Sequence, residues 1–182
     1  MTVGVILAAG LSTRFGSDKL SAKWGETTLL EHVRDRLGGV DLDELAVVLG
    51  PLSIGLEGVT TILNNSPESG LGHSVSLAAR WADGVDADLM LLVLADMPGV
   101  SVEHLEALLD ALDEHEAAGS LYPDGRIGVP AAFSSNLFDS LYSLSGLNGA
   151  QRLLHEVAVG IHLPEGEAFD VDTPEDYKRY RP

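Results

Sequence analysis

The residues best suited to chemistry stand near the start of the chain, in Leu7-Ala8-Ala9-Gly10-Leu11-Ser12-Thr13-Arg14-Phe15-Gly16-Ser17-Asp18-Lys19. An apolar run rich in β-branched residues, Val3-Gly4-Val5-Ile6, empties here into a loop of small residues that carries one arginine and one lysine. Small side chains let a phosphate approach the backbone closely, and consecutive N–H groups can then form an anion-binding concavity. Lys19 would add a mobile point charge and Arg14 a fork for pairs of oxygens. The same stretch also suits a tight strand-to-helix joint with no ligand, a joint found throughout α/β proteins. It is neither G-x-G-x-x-G nor G-x-x-x-x-G-K-[ST], so neither dinucleotide-fingerprint nor Walker A chemistry is implied.

Three further segments carry candidate groups. Asp96 ends the most hydrophobic run of the chain, in Leu94-Ala95-Asp96-Met97-Pro98. A carboxylate there suits Mg²⁺, which takes one or two carboxylates together with phosphate oxygens and water, and it equally suits a turn before a proline. In Asp170-Val171-Asp172-Thr173-Pro174-Glu175-Asp176-Tyr177, Pro174 fits a first helical position with Thr173 or Asp172 as its cap. A functional reading makes Asp172, with Asp170 as a further candidate, a second metal carboxylate opposite Asp96. Residues 64–77 form a polar glycine-bearing loop leading into an amphipathic helix with Leu77, Ala78 and Trp81. Its amides and hydroxyls could read the edge of a base, or simply cap the helix. None of the six histidines has a second histidine or carboxylate at zinc-site spacing, and G-x-S-x-G is absent, so zinc and serine-hydrolase chemistry find no support.

The elements that must position these groups alternate. Strand-like runs lie at residues 3–8, 45–49, 59–63, 88–95, 127–133 and 159–163, with helical stretches between them. The clearest helix is expected over residues 102–116, where Leu105, Leu108, Leu109 and Leu112 share one face and Ser101 can cap the start; His104 and His115 fall to its solvent side. Leu89-Met90-Leu91-Leu92-Val93-Leu94 is apolar on both faces, as a central parallel strand covered by helices requires. Pro123-Asp124-Gly125 reads as a turn that introduces an antiparallel excursion before Ile127. The expected fold class is α/β: a doubly wound, mostly parallel sheet flanked by helices. Such sheets bind ligands beyond the carboxyl ends of their strands, which sets residues 10–19 and Asp96 along one edge.

Composition narrows the partners. With 182 residues and 45% hydrophobic content, one domain over residues 1–182 is expected. Zero cysteines exclude disulfides and thiolate metal sites. Neither a signal-peptide pattern nor an apolar run of about 18 residues occurs, so no membrane partner and a cytoplasmic location are expected. A net charge of −17 argues against nucleic acid, whose binders need a basic surface. Yet Arg14, Lys19 and Lys23 cluster with only Asp18 opposing them, and a local cationic pocket on an acidic body fits a small polyanion. Lys23 also fits a solvated loop lysine.

Taken in order, Leu7-Ala8-Ala9-Gly10-x-Ser12-x-Arg14-Phe15-Gly16-x-x-Lys19, Gly70-Leu71-Gly72-x-Ser74-x-Ser76-Leu77, Leu94-Ala95-Asp96-Met97-Pro98 and Asp170-Val171-Asp172-Thr173-Pro174-Glu175-Asp176 resemble the MobA-like nucleotidyltransferases. The nearest branch looks like the molybdenum cofactor cytidylyltransferases. The resemblance spans nearly the whole chain. It implies a Rossmann-like fold and the transfer of a nucleoside monophosphate from a nucleoside triphosphate to a phosphorylated small-molecule acceptor, with Mg²⁺ and release of pyrophosphate. By this resemblance Leu7, Ala8, Ala9, Gly10, Arg14, Lys19, Gly72, Ser74 and Asp96 bind the nucleotide; Lys19, Arg14 and Asp96 are catalytic; Asp96 and Asp172 hold the metal. Ala9, where guanylyl members carry glycine, favours CTP. Two departures bear on the acceptor, for which that branch implies molybdopterin: Gly146-Leu147-Asn148-Gly149-Ala150-Gln151 lacks the Asp and Arg of Gly-Asp-x-Gly-Ala-Arg, and Gly128-Val129-Pro130 lacks the polar centre of Gly-[Asn/His]-Pro. Alternatives of other kinds are a sugar-1-phosphate nucleotidyltransferase, a glycosyltransferase using Asp170-x-Asp172, and a nonenzymatic nucleotide-binding accessory module for cofactor insertion.

Overall fold

The computed structural model describes residues 1–10, 15, 19–51, 53 and 55–182. Its frame is a sheet that starts with β1 (Thr2–Ala8), a strand buried on both faces: Val3, Val5 and Leu7 project to one side, Ile6 and Ala8 to the other. On one flank β1 pairs in parallel with β4 (Glu44–Leu49), which pairs in parallel with β5 (Thr60–Leu63). On the other it pairs in parallel with β6 (Leu89–Leu94), Leu7 standing opposite Leu94. Beyond β6 the antiparallel β8 (Ile127–Ser134), then β7 (Ala117–Leu121) and β9 (Val159–His162), complete the order β5-β4-β1-β6-β8-β7-β9. A separate ribbon, β2 (Lys23–Trp24) with β3 (Thr27–Thr28), precedes the first helix.

Helices cover both faces, because every residue of a doubly buried strand needs apolar partners on its own side. On the Ile6 side lie α1 (Leu29–Leu37), burying Leu29, Leu30, Val33 and Leu37, and α3 (Val102–Asp110), burying Leu105 and Leu108. The opposite side is covered by α2 (Leu71–Gly84), through Val75, Ala78, Ala79 and Ala82, together with α4 (Phe138–Tyr142) and α5 (Gln151–Val157). Thr28 begins α1 with a reciprocal capping box to Glu31, and Ser101 caps α3 by accepting from the His104 N–H, as its sequence position implied.

The fold is therefore the doubly wound, mostly parallel sheet expected from the alternating pattern, with three departures. The helix expected over residues 102–116 stops at Asp110 and tightens into a 3₁₀ turn over Ala111–Asp113, which lets Leu112 keep its partly buried place while the chain turns back into the sheet. That turn feeds β7, whose small residues Ala117-Ala118-Gly119-Ser120 carry no strand signal of their own. They are selected by crowding: a Cβ on Gly119 would lie 2.5 Å from a methyl of Ile127. His104, expected on the solvent side, is instead 5% exposed, with Nε2 2.8 Å from the Ser120 hydroxyl, which in turn donates to the carbonyl of Pro130. Burial lowers the His104 pKa, so the neutral ring serves as a polar tie between α3 and the antiparallel strands.

The chain builds β1, β4 and β5 outward on one flank and then crosses back through α2 to lay down β6 on the other. The sheet's switch point thus falls between β1 and β6, and their carboxyl ends are held side by side where the Ala95 N–H donates to the Leu7 carbonyl at 3.1 Å. Leu91, fully buried at the centre of β6, is one of the side chains that keep this junction rigid. Leu91→Ala should cost about 2–5 kcal/mol of stability, measured by urea unfolding, from lost burial and the cavity left behind.

Candidate active site

Beyond the paired ends of β1 and β6 opens a cavity of about 380 Å³. Leu7, Ala8, Ala9 and Gly10 line it from the first strand, Lys19 from the following loop, and Leu94, Ala95 and Asp96 from β6. Ser74 and Leu71 enter from α2, Asp172 from the C-terminal segment and Leu147 from the loop before α5. Residues widely separated in sequence thus meet as the strand-end argument required.

At the floor, Lys19 is 7% exposed and its Nζ lies 2.7 Å from Asp96 Oδ2 and 2.8 Å from Asp172 Oδ1. Burial opposes the charge on this ammonium, but the field of Asp96 and the bonds to both carboxylates outweigh it and raise the pKa above the ordinary lysine value. Lys19 is consequently a fixed cation. Two carboxylates aimed at one point offer an oxygen-rich seat of the kind Mg²⁺ or Mn²⁺ uses with water and phosphate oxygens. Among the described residues no group of three or more metal-ligating side chains converges, so the donor set fits an ion that completes its shell with substrate rather than a closed all-protein cage.

Asp172 reaches this point through backbone geometry. The Val171 N–H donates to the Asp96 carbonyl at 2.8 Å, pinning the C-terminal segment across the end of β6. Immediately afterwards α6 (Pro174–Tyr180) begins, with Thr173 as N-cap in a capping box with Asp176 and Pro174 in the first turn. The bond from the Thr173 hydroxyl, with those from the backbone N–H groups of Thr173 and Asp172, holds the Asp176 carboxyl below its usual range. From α6, Tyr177 donates to the Lys23 carbonyl and meets the rings of Phe15 and Trp24 edge-on, each at 5.9 Å. The helix that follows Asp172 is thereby tied to both sides of the segment that delivers Lys19.

On the opposite wall, the buried Asn64 donates to the Ser74 hydroxyl at 3.0 Å, while its carbonyl oxygen accepts from the Ser66 N–H. Ser74 accepts this bond and keeps its own O–H as a donor into the cavity. Gly72 plays a different part from the one its motif suggested. It lies outside the cavity lining, and a Cβ there would come within 2.7 Å of the Ser145 backbone; its N–H donates to the Gly146 carbonyl at 2.9 Å. Gly70, at φ +85°, is pressed against Gly146 in the same way. The two glycines let the loop around residue 146 dock on the start of α2, which carries Leu147 to the cavity rim.

Arg14 lies outside the described residues. Sequence reasoning did not single out Pro67, Glu68 and Leu20 as cavity-lining residues; they carry no motif and reach the cavity only through the fold. Asp170, a lesser candidate at first, stands exposed at the edge of the cleft, yet the protein crowded on one side of it, together with the negative charges of Asp96 and Asp172, pushes its carboxyl up to about 6.

The model of the MobA-like NTP transferase domain matches residues 4–161. The chain is 34% identical over 198 residues to the purine catabolism protein PucB of Bacillus subtilis, covering 98% of this chain and 95% of the relative. It is 26% identical over 152 residues to a probable molybdenum cofactor guanylyltransferase of Bacillus cereus, covering 78% and 72%. The crystal structure of Rv0371c from Mycobacterium tuberculosis in complex with manganese superposes with a TM-score of 0.76 at 26% identity, covering 98% and 96% of the two chains. These similarities agree with the family inferred from the motifs; the relatives' names include a guanylyltransferase, which moves the resemblance away from the cytidylyl branch in particular. Among the described residues no helix is long and apolar enough to cross a membrane.

The raised Asp170 carboxyl has a consequence for stability. The folded protein holds this proton more tightly than the unfolded chain, whose aspartates titrate near about 4. Stability is therefore lost as pH rises towards about 6, and the loss persists above it. In EDTA, Asp170→Asn should raise the melting temperature more at pH 8 than at pH 5; an equal rise at both values would contradict this assignment.

Proposed function

We propose, from the premise that this chain belongs to the MobA-like NTP transferase family, that it transfers a nucleoside monophosphate from a nucleoside triphosphate to a phosphorylated small molecule and releases pyrophosphate. The observation that carries the reading is the buried Lys19 ammonium bonded to Asp96 and Asp172 in the cavity where β1 and β6 end.

Attack by one phosphate oxygen on another phosphorus is slow chiefly because the anions repel and must be aligned, so catalysis by this chain is a matter of orientation and charge. Small residues Ala8, Ala9 and Gly10 let the triphosphate lie against the backbone at the mouth of β1. Lys19 and Arg14 neutralise the negative charge that builds on the departing pyrophosphate. Ser74 donates its hydroxyl towards the nucleoside. Asp96 and Asp172 would hold Mg²⁺, which when bound supplies charge neutralisation at the reacting phosphate oxygens; the manganese complex of Rv0371c supports a divalent ion here. An acceptor phosphate is already ionised at neutral pH, so the chain needs no general base.

CTP as donor is supported by Ala9 in the Leu-Ala-Ala-Gly run, and molybdopterin as acceptor by the relative named as a probable molybdenum cofactor guanylyltransferase. GTP is the second reading, favoured by that same relative's name. Incubating the protein with each nucleoside triphosphate, Mg²⁺ or Mn²⁺, and phosphorylated acceptors including molybdopterin, while following pyrophosphate, tests both. Lys19→Ala and Asp96→Ala should each lower turnover by two or more orders of magnitude, on the order seen when a charged group aimed at a transition state is removed, with the circular dichroism spectrum unchanged. Near-normal pyrophosphate release by either variant would sink the reading.

A further inference from the structure

A second cavity, of about 190 Å³, adjoins the first and shares Leu71, Leu94 and Leu147 with it. Its volume is below the about 300 Å³ at which whole-ligand pockets begin, so it is a subsite of a larger cleft and not a site of its own. Among the described residues Arg126 is the one basic side chain in its lining, accompanied by the amides Asn148 and Gln151.

Arg126 is held in place by its surroundings. Its guanidinium lies over the Tyr122 ring, 4.1 Å from the centroid, and that ring is buried with its hydroxyl donating to the Val129 carbonyl at 2.5 Å. The turn that delivers it is closed by the Tyr122 N–H to the Arg126 carbonyl, the Gly125 N–H to the Tyr122 carbonyl and the Arg126 N–H to Asp124 Oδ1. Gly128 leaves room for the stack, since a Cβ there would lie 3.2 Å from the Tyr122 ring and 3.5 Å from Arg126 Nη1. Asp124 approaches Nε at 3.6 Å, an exposed contact worth little, and the side chain, which lines the cavity, remains 44% exposed. A stacked guanidinium of restricted freedom presents its remaining donors to an anion at small entropic cost.

The body around it is strongly acidic, so a phosphate monoester reaches this cleft only where a cation is supplied locally. Lys19 is committed to Asp96 and Asp172 in the first cavity. Asp170 also lines the second cavity and repels a dianion, which directs a phosphate to the Arg126 end. We infer that the second cavity seats the phosphomonoester of the acceptor and that Arg126, on its Tyr122 platform, is the residue that selects for that charge. The inference rests on the transferase reading and names where the acceptor's phosphate sits and the residue that recognises it.

Calorimetric titration separates the two. The α,β-methylene analogues of CTP and GTP report the nucleotide cavity, and phenyl phosphate, added to protein saturated with whichever analogue binds, reports the second. Phenyl phosphate should bind the wild type, and Arg126→Gln should weaken it about ten- to hundredfold, as expected on losing charge-assisted hydrogen bonds, while analogue affinity changes less than about twofold. Gly128→Ala, with Arg126 intact, should also weaken phenyl phosphate by crowding the stack. No binding to the wild type, equal binding to Arg126→Gln, or a parallel loss of analogue affinity would overturn the assignment. Should neither analogue bind, the CTP and GTP readings fall; phenyl phosphate titrated into the analogue-free protein then decides the anion subsite alone, with Arg126-dependent binding supporting it and Arg126-independent binding overturning it.

Discussion

The contact on which the rest of the site depends is the pair of bonds from the Lys19 ammonium to Asp96 and Asp172. It joins the side chains of three parts of the chain that lie far apart in sequence: the loop after β1, the end of β6 and the segment before α6. Two carboxylates facing each other in a cleft repel, and a buried lysine alone would lose its charge; together they are mutually sustained. A polyphosphate entering beside them meets positive charge from Lys19 without the site having to charge a new group.

How that contact is assembled explains what could and could not be read from the chain. Lys19 and Asp96 were legible because Lys19 belongs to the glycine-bearing loop that follows one unmistakable apolar strand and Asp96 stands just past the end of another, and in a doubly wound sheet those ends lie on one edge. Asp172 was legible only as a carboxylate before a capped helix. Its meeting with Asp96 depends on the Val171 N–H bonding to the Asp96 carbonyl, a backbone contact that leaves no residue signature. Gly72 shows the converse case. Its motif read as a ligand position, whereas its missing side chain makes room for the backbone at Ser145 and Gly146, and a close approach of main chain looks in sequence just like a phosphate-binding glycine.

The same reasoning accounts for the sheet. The strands with continuous Val, Ile and Leu were evident from composition because both of their faces are buried. β7 was not, since Ala117-Ala118-Gly119-Ser120 has the composition of a loop and becomes a strand only by pairing between β8 and β9. Extending the Leu105 periodicity through Leu112 absorbed its approach into a helix, because apolar spacing does not separate a last α turn from a 3₁₀ turn. His104 followed from that error of environment: on an isolated helix it faces water, and only the return of β7 supplies Ser120 as its partner.

Charge is the quantity that divides the cleft. A net of −17 would exclude a triphosphate and a phosphorylated acceptor alike if it were spread evenly, so recognition must rest on a few cations set where the fold is rigid. Lys19 is fixed by ion pairs and Arg126 by a buried ring, two different physical means to the same end, and the shared wall of Leu71, Leu94 and Leu147 keeps their cavities adjoining but distinct. That wall depends in turn on the loop docked against Gly70 and Gly72, so these two glycines set the position of Leu147, and Gly70 lines the first cavity as well.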